Sequence, residues 1–262
     1  MTNKKDSCYS LDLSFDWQDP SDQVFLSSEI FLNAERVDIW RADLNPTTIP
    51  MSHFFSLLST DEQERAQRFH FERDRRRYTV GRGILRILLG RYLNQDPGCL
   101  TFHYSAHGKP ILASASLQFN VSHAQELAVY AITAQAQIGI DLEYVRSDVD
   151  AEGIAKRFFR ASEYQLLCQL PPDQQRQAFY RYWTAKEACL KAVGTGIAHL
   201  SHLELALGHN TIGILTWATE NPKDWIVQQG IPAPKYMATL AVKGSRLTSC
   251  FWRFLGISDL TP

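Results

Sequence analysis

The sequence predicts an α+β fold built from two similar α/β halves, and three observations carry that expectation. Short alternating apolar stretches bracket long helical ones, the order strand, helices, strands occurs twice, and the two runs meet near Gln135. The 262 residues, 45% hydrophobic and 21% charged, suffice for one large core or two modest ones. On this reading residues 1–34 form a variable N-terminal extension, 35–135 the first half and 136–262 the second.

The elements follow in order. Val37-Asp38-Ile39-Trp40 alternates as a first strand, and Pro46 to Pro50 forms a loop. Ser59-Thr60-Asp61-Glu62 starts a helix, with a capping residue and acids in its first turn. That helical region runs to Leu93, where Asn94, Pro97 and Gly98 end it. Phe102 to Tyr104, Leu117 to Val121 and Leu127 to Ile132 read as strands. Ile138 to Val145 opens the second run, followed by helix from Ala151 to Val193 with a break at Pro171-Pro172. Four further strands follow: Thr211 to Trp217, Trp225 to Gln228, Tyr236 to Val242 and Arg246 to Phe254.

Composition excludes several function classes. Lys and Arg number 27 against 28 Asp and Glu, a formal net charge of -1, so bulk basicity does not hold this chain to nucleic acid. No apolar run reaches the ~18 residues of a membrane helix, and the first twenty residues hold no apolar signal core, so a cytoplasmic protein off the membrane is expected. The five cysteines are odd in number and form no C-x-x-C, which favours free thiols.

Four segments carry possible chemistry. Between Glu62 and Arg86 lie eight arginines and four acids, a local excess of four positive charges. Planar arginine forks suit phosphate oxygens, although a solvated helix face laced by weak ion pairs fits the same residues. In Ile138-Gly139-Ile140-Asp141-Leu142-Glu143-Tyr144, strand alternation puts Asp141 and Glu143 on one face, about 7 Å apart. Two such carboxylates repel each other unless one is protonated or a hard cation lies between them; an exposed edge strand is the plainer alternative.

On the helix around Trp183, a four-residue spacing aligns Trp183, Glu187 and Lys191. Glu187 suits a third metal ligand or a base, with Lys186 and Lys191 available to phosphate; a single Glu–Lys pair on a helix surface is the other reading. Gly108-Lys109-Pro110 fixes a turn ahead of Phe119-Asn120-Val121-Ser122-His123. Ser122 and His123 lie just past a strand end, where neighbouring side chains point apart, so they are poorly set up as a nucleophile pair, and His123 suits phosphate or nucleotide contact.

Taken in order, these motifs resemble those of the 4'-phosphopantetheinyl transferases, specifically the surfactin-synthetase-activating (Sfp) type. Gly108-Lys109-Pro110, Phe119 to His123, Ile138 to Glu143, Arg157-Phe158-Phe159 with Glu163, and Trp183-Thr184-Ala185-Lys186-Glu187 through Lys191 fall in register across residues 37–242. The resemblance implies a pseudo-two-fold monomer with its active site in the cleft between the halves. It also implies Mg²⁺-dependent transfer of 4'-phosphopantetheine from coenzyme A to a serine of an apo acyl or peptidyl carrier protein, releasing 3',5'-ADP. By motif match, Asp141, Glu143 and Glu187 would hold Mg²⁺, and Asp141, Glu187 and Lys191 would form the catalytic set. His123 and Lys191 would meet phosphate, while Lys109, Pro110 and Ser122 would line the nucleotide. Arg65, Arg77 and Arg82 would lie near the 3'-phosphate and diphosphate. Some relatives carry a lysine where this chain has Glu62, so that clamp would rest on other cations. The alternative is a coenzyme A-binding module or inactive paralogue without transfer.

Overall fold

The computed structural model describes residues 15–19, 35–113, 117–209 and 211–255. Most of the predicted N-terminal extension lies outside these residues. Within them, Phe15 stacks on Phe251, and Gln18 exchanges backbone hydrogen bonds with Phe251 and Arg253.

The first half runs β1 (Arg36–Asp43), α1 (Met51–Ser56), α2 (Thr60–Gln67), α3 (Glu72–Leu93), the hairpin β2 (Phe102–Tyr104) and β3 (Pro110–Leu112), then β4 (Gln118–Ala124) and β5 (Leu127–Thr133). The second repeats the pattern: β6 (Ile138–Tyr144), α4 (Ala151–Phe158), α5 (Ala161–Gln169), α6 (Pro172–Val193), the hairpin β7 (Leu203–Leu207) and β8 (Ile212–Trp217), then β9 (Trp225–Gly230) and β10 (Tyr236–Lys243). The sheets share the arrangement: β1-β5-β4 in one and β6-β10-β9 in the other. The expected α+β class and doubled element order are therefore present. The last strand, β11 (Thr248–Arg253), departs from the linear division, because it pairs in parallel with β1 of the first sheet.

Strand alternation builds the layers. Val37 and Ile39 of β1 and Val129 and Ala131 of β5 meet Ile138, Ile140 and Leu142 of β6 and Leu240 of β10 in a core between the sheets. The opposite faces of β1 and β5, through Trp40, Tyr130 and Ile132, pack on α3. A separate cluster joins α6 to Met237, Ala241 and the β7–β8 hairpin. The layers thus run α3, first sheet, second sheet, α6.

Two details position the cleft. At Gly139 a Cβ would fall 2.0 Å from the Ala188 carbonyl oxygen, so only glycine lets α6 lie this close over β6. Edge strands β4 and β6 meet through side chains: Asn120 Oδ1 accepts from the Ile140 amide at 2.8 Å and Ser122 Oγ from the Leu142 amide at 3.1 Å. These two backbone donors of the seam are thereby satisfied without a strand ladder.

The helical region expected from Ser59 to Leu93 is two helices, because the chain reverses between Gln67 and Glu72 to bring Glu62 against α3. Glu62, 1% exposed, accepts from Arg82 and, at 2.6 Å, from Arg86, whose Nη1 also donates to the carbonyls of Pro97 and Leu100. The second half repeats this. Glu163 is buried against Lys186 at 2.9 Å, and the Lys186 ammonium donates to the carbonyls of Leu200 and Leu203. Each glutamate also accepts a backbone amide at its helix start, Ser59 or Arg160. The doubling thus extends from element order to buried charge.

Candidate active site

Three adjoining cavities line the seam. The largest, about 560 Å³, lies in the first half among Arg65, Arg77, Tyr78, Arg82, Tyr104 and His123, with Gly108 and Pro110 on its wall. A second, about 220 Å³, takes in Lys109, Pro110, Asn120, Lys191 and Thr195. A third, about 380 Å³, holds Ser122, His123, Asp141, Glu143, Trp183, Glu187 and Lys191. Val121 lines all three, so they form one elongated depression with cations at one end and carboxylates at the other.

The carboxylate end follows from local structure. Asp141 and Glu143 project from the face of β6 opposite the inter-sheet core, and Glu187 and Lys191 descend from α6 one turn apart. Lys191 Nζ lies 2.5 Å from Asp141 Oδ1 and 3.0 Å from Ser122 Oγ. Trp183 Nε1 donates to Glu143 Oε1 at 3.2 Å. Burial, then the Asp141 charge, push Glu143 up to about 7, and the same two causes raise Glu187. Asp141 Oδ2 and Glu187 Oε1 are buried without a hydrogen-bond partner.

Orphaned oxygens and raised carboxyls in an all-oxygen set fit a small hard cation. The acids are not drawn into a ready-made ligand cluster, however. Among the described residues, no group of three His, Cys, Asp or Glu is close enough to hold a metal, and Lys191 rather than a fourth oxygen faces Asp141.

At the cationic end, Arg77 donates to Gln125 and Glu126 of the β4–β5 turn, and Arg65 lies over the Tyr78 ring. Arg82 spends Nε on Glu62 and Nη2 on the Tyr104 hydroxyl at 2.8 Å, over the Phe102 ring. Desolvation in the cleft, then Lys191 and Arg77, lower the His123 pKa, so its ring is neutral at pH 7.

Three of the side chains expected to meet the ligand are engaged within the protein. Lys186 is fully buried against Glu163 on the far side of α6, too enclosed to reach phosphate. Lys109 turns its ammonium to the carbonyls of Ile138 and Lys191, clasping β6 to the end of α6; burial pushes it down to about 8. Ser122 is occupied by the seam and by Lys191.

Comparisons with known proteins agree with this layout. A model described as the 4'-phosphopantetheinyl transferase superfamily matches residues 137–241, and one described as 4'-phosphopantetheinyl transferase, N-terminal, matches 42–135. The chain is 44% identical to the 4'-phosphopantetheinyl transferase HetI of Nostoc sp. over 227 residues, covering 85% of this chain and 94% of HetI. The chain belongs to the 4'-phosphopantetheinyl transferase family. It is 32% identical to the 4'-phosphopantetheinyl transferase Sfp of Bacillus subtilis, over 55% of this chain and 64% of Sfp. A solved holo-[acyl-carrier-protein] synthase of Thermotoga maritima aligns with 43% of this chain and 66% of its own, at 21% identity and a TM-score of 0.34, too slight a likeness to argue from.

Sequence reading overlooked one group in the transferase's cleft and one contact of another. The Tyr78 hydroxyl is buried without a partner in the cationic cavity, with its pKa pushed up to about 12, chiefly by burial. Its four-residue step to Arg82 puts the two on one helix face, a signal available in the sequence. Trp183 was noted for its stripe, but its bond to Glu143 crosses between elements and is not visible locally.

The raised Glu143 sets a pH dependence. Below about 7 this carboxyl carries a proton; a divalent ion held there would have to displace it, and its affinity would then rise with pH through that value. Mn²⁺ titrations at pH 6 and pH 8 should differ by up to about tenfold, and equal affinities would contradict the shift. Without the ion the sign for stability is opposite: the folded state holds a proton the unfolded chain releases, so stability falls as pH rises toward 7.

Proposed function

We propose that this transferase moves 4'-phosphopantetheine from coenzyme A to a serine hydroxyl of an apo acyl or peptidyl carrier protein in a Mg²⁺-dependent reaction, releasing 3',5'-ADP. The observation that carries the reading is the depression in which Asp141, Glu143 and Glu187 share a cavity adjoining one lined by Arg65, Arg77 and Arg82. A polyanion with separated phosphates fits that polarity: a 3'-phosphate toward the arginines and a diphosphate toward the acids.

The residues that would hold Mg²⁺ are Asp141, Glu143 and Glu187, where the ion would supply charge neutralisation and a template for the diphosphate. Lys191, between Asp141 and Ser122, would offer its ammonium to a diphosphate oxygen, and neutral His123 would donate a ring N–H to phosphate. The Tyr78 hydroxyl, buried without a partner, would donate to the ligand at the cationic end. Glu187, with its raised pKa, is the proposed base. The serine oxygen bonds to the β-phosphorus as its proton passes to the Glu187 carboxylate. The phosphoanhydride bond breaks, and 3',5'-ADP leaves with the electron pair.

For the carrier surface, Arg157 lies over the half-buried Phe158, which packs edge-on to Trp183 of the acid cavity, and Arg160 is exposed two residues past the end of α4. Phe159 is instead core. Carriers of this kind are acidic helical bundles in the general case, and these cations suit one. Reversing Arg157 and Arg160 to Glu should raise KM for the carrier at least about tenfold, given the like-charge penalty, and leave KM for coenzyme A unchanged. An unchanged carrier KM would remove this surface.

The reading as a whole is tested by incubating the protein with coenzyme A, Mg²⁺ and several apo carriers and measuring intact carrier masses. A phosphopantetheine adduct is expected. Coenzyme A binding with no adduct on any carrier would favour a binding module instead.

A further inference from the structure

The doubled fold duplicates a cavity as well as its elements. Helices α3 and α6 each have 22 residues and end at a left-handed residue, Asn94 and Gly194. The Glu62–Arg86 and Glu163–Lys186 pairs fix the register, with the cations 100 positions apart.

In that register the cationic cavity, lined from α3 by residues 74, 77, 78, 81, 82 and 85, has a counterpart of about 540 Å³ lined from α6 by 174, 177, 178, 181 and 182, the matches of the first five. Its chemistry has changed. Glutamine replaces Arg77 at position 177, tyrosine replaces Arg82 at 182, and Leu166 and Leu167 stand on α5 where α2 presents Arg65. The cation that lines it, Arg181, is 4% exposed, with its donors on Gln229 and on the carbonyls of Gly208, His209 and Thr211. The rest of the lining is leucine, Ala178, Gly208, Tyr182, His209 and the glutamines at 169, 174 and 177.

We infer that the second half carries a separate small-molecule site, built on the elements that form the cationic cavity in the first half but without its cleft-facing arginines, for an uncharged aliphatic molecule bearing an amide. Its volume lies within the range of small-ligand sites. The leucines desolvate the aliphatic body, and glutamine side chains pair with an amide through donor and acceptor at once. A charged ligand would be desolvated there, and the Arg181 guanidinium is already committed to its own four partners. The inference does not depend on what fills the first cavity.

Three matched probes test it on the full-length protein: hexanamide, hexanoate and hexylammonium, titrated while the glutamine side-chain amide signals are followed by ¹H–¹⁵N NMR. Saturable shifts of Gln169, Gln174 and Gln177 with hexanamide are expected, in the millimolar range suited to so small a ligand, with both ions at least about tenfold weaker. In Gln177→Arg, which restores the residue type of position 77, hexanoate should overtake hexanamide while coenzyme A affinity stays unchanged. No saturable shift, or equal binding of all three probes to the wild-type protein, would overturn the inference. The wild-type comparison decides it even if the variant does not fold.

Discussion

Asp141→Ala is expected to lower kcat/KM for carrier modification at least about 100- to 1,000-fold, the scale on which a single well-placed electrostatic group acts. Its fold should survive. Asp141 lies beside Glu143 and Glu187, both raised in part by its charge, and its Oδ2 has no hydrogen-bond partner. Removing it relieves repulsion, although Lys191 loses its carboxylate partner at 2.5 Å. A thermal melt at or near the wild-type temperature is therefore expected beside the lost activity. An active variant would refute the role given to this carboxylate, and an unfolded one would make it a structural residue.

The opposite outcome is expected at Glu62. This side chain is buried between two guanidinium groups, Arg82 and Arg86, and also accepts the Ser59 amide. Burial alone would raise its pKa, but the two arginines outweigh it and hold the carboxyl below its ordinary range. Glu62→Ala leaves two cations in an apolar setting without their counter-ion, at a cost of about 3–5 kcal/mol. For a chain of this size that corresponds to a fall of roughly 10 °C in Tm. The depressed pKa adds a sign: this contribution is complete above the pKa of an unfolded glutamate and is lost as pH falls through the lower folded value. A melt within a degree or two of wild type would show that the triad contributes no net stability.

The fold was legible where patterns are local. The alternation of Ile138 to Glu143 identified a strand with two acids on one face, and the four-residue spacing of Trp183, Glu187 and Lys191 identified the stripe above it. The close approach that brings them together rests on Gly139, whose role depends on a helix about fifty residues away. Lys186 marks the limit of local reading. One residue from Glu187, it looks equally available, but a helix turns about 100° per residue and sends it to a buried glutamate on α5. The break before α3 was missed for a similar reason: residues 68–71 hold no glycine or proline, and the reversal is enforced by Glu62 docking on α3.

The internal duplication was read from element order alone, because its halves share few identities. What persists is chemistry in register: an acid near the start of a short helix, a cation 23 or 24 residues later on the long one, and two carbonyls beyond that helix. Substitutions within the repeat also explain why only one half gathers arginines around a cavity.

The central claim is that Asp141, Glu143 and Glu187 hold one divalent ion against the diphosphate of coenzyme A while the 3'-phosphate lies among the arginines. ³¹P NMR of coenzyme A bound with trace Mn²⁺ tests it most directly, because paramagnetic broadening falls steeply with distance from the metal. The account predicts strong broadening of the diphosphate signals and a much narrower 3'-phosphate line, with the difference abolished in Glu187→Gln. Broadening of the 3'-phosphate as strong as that of the diphosphate would contradict it.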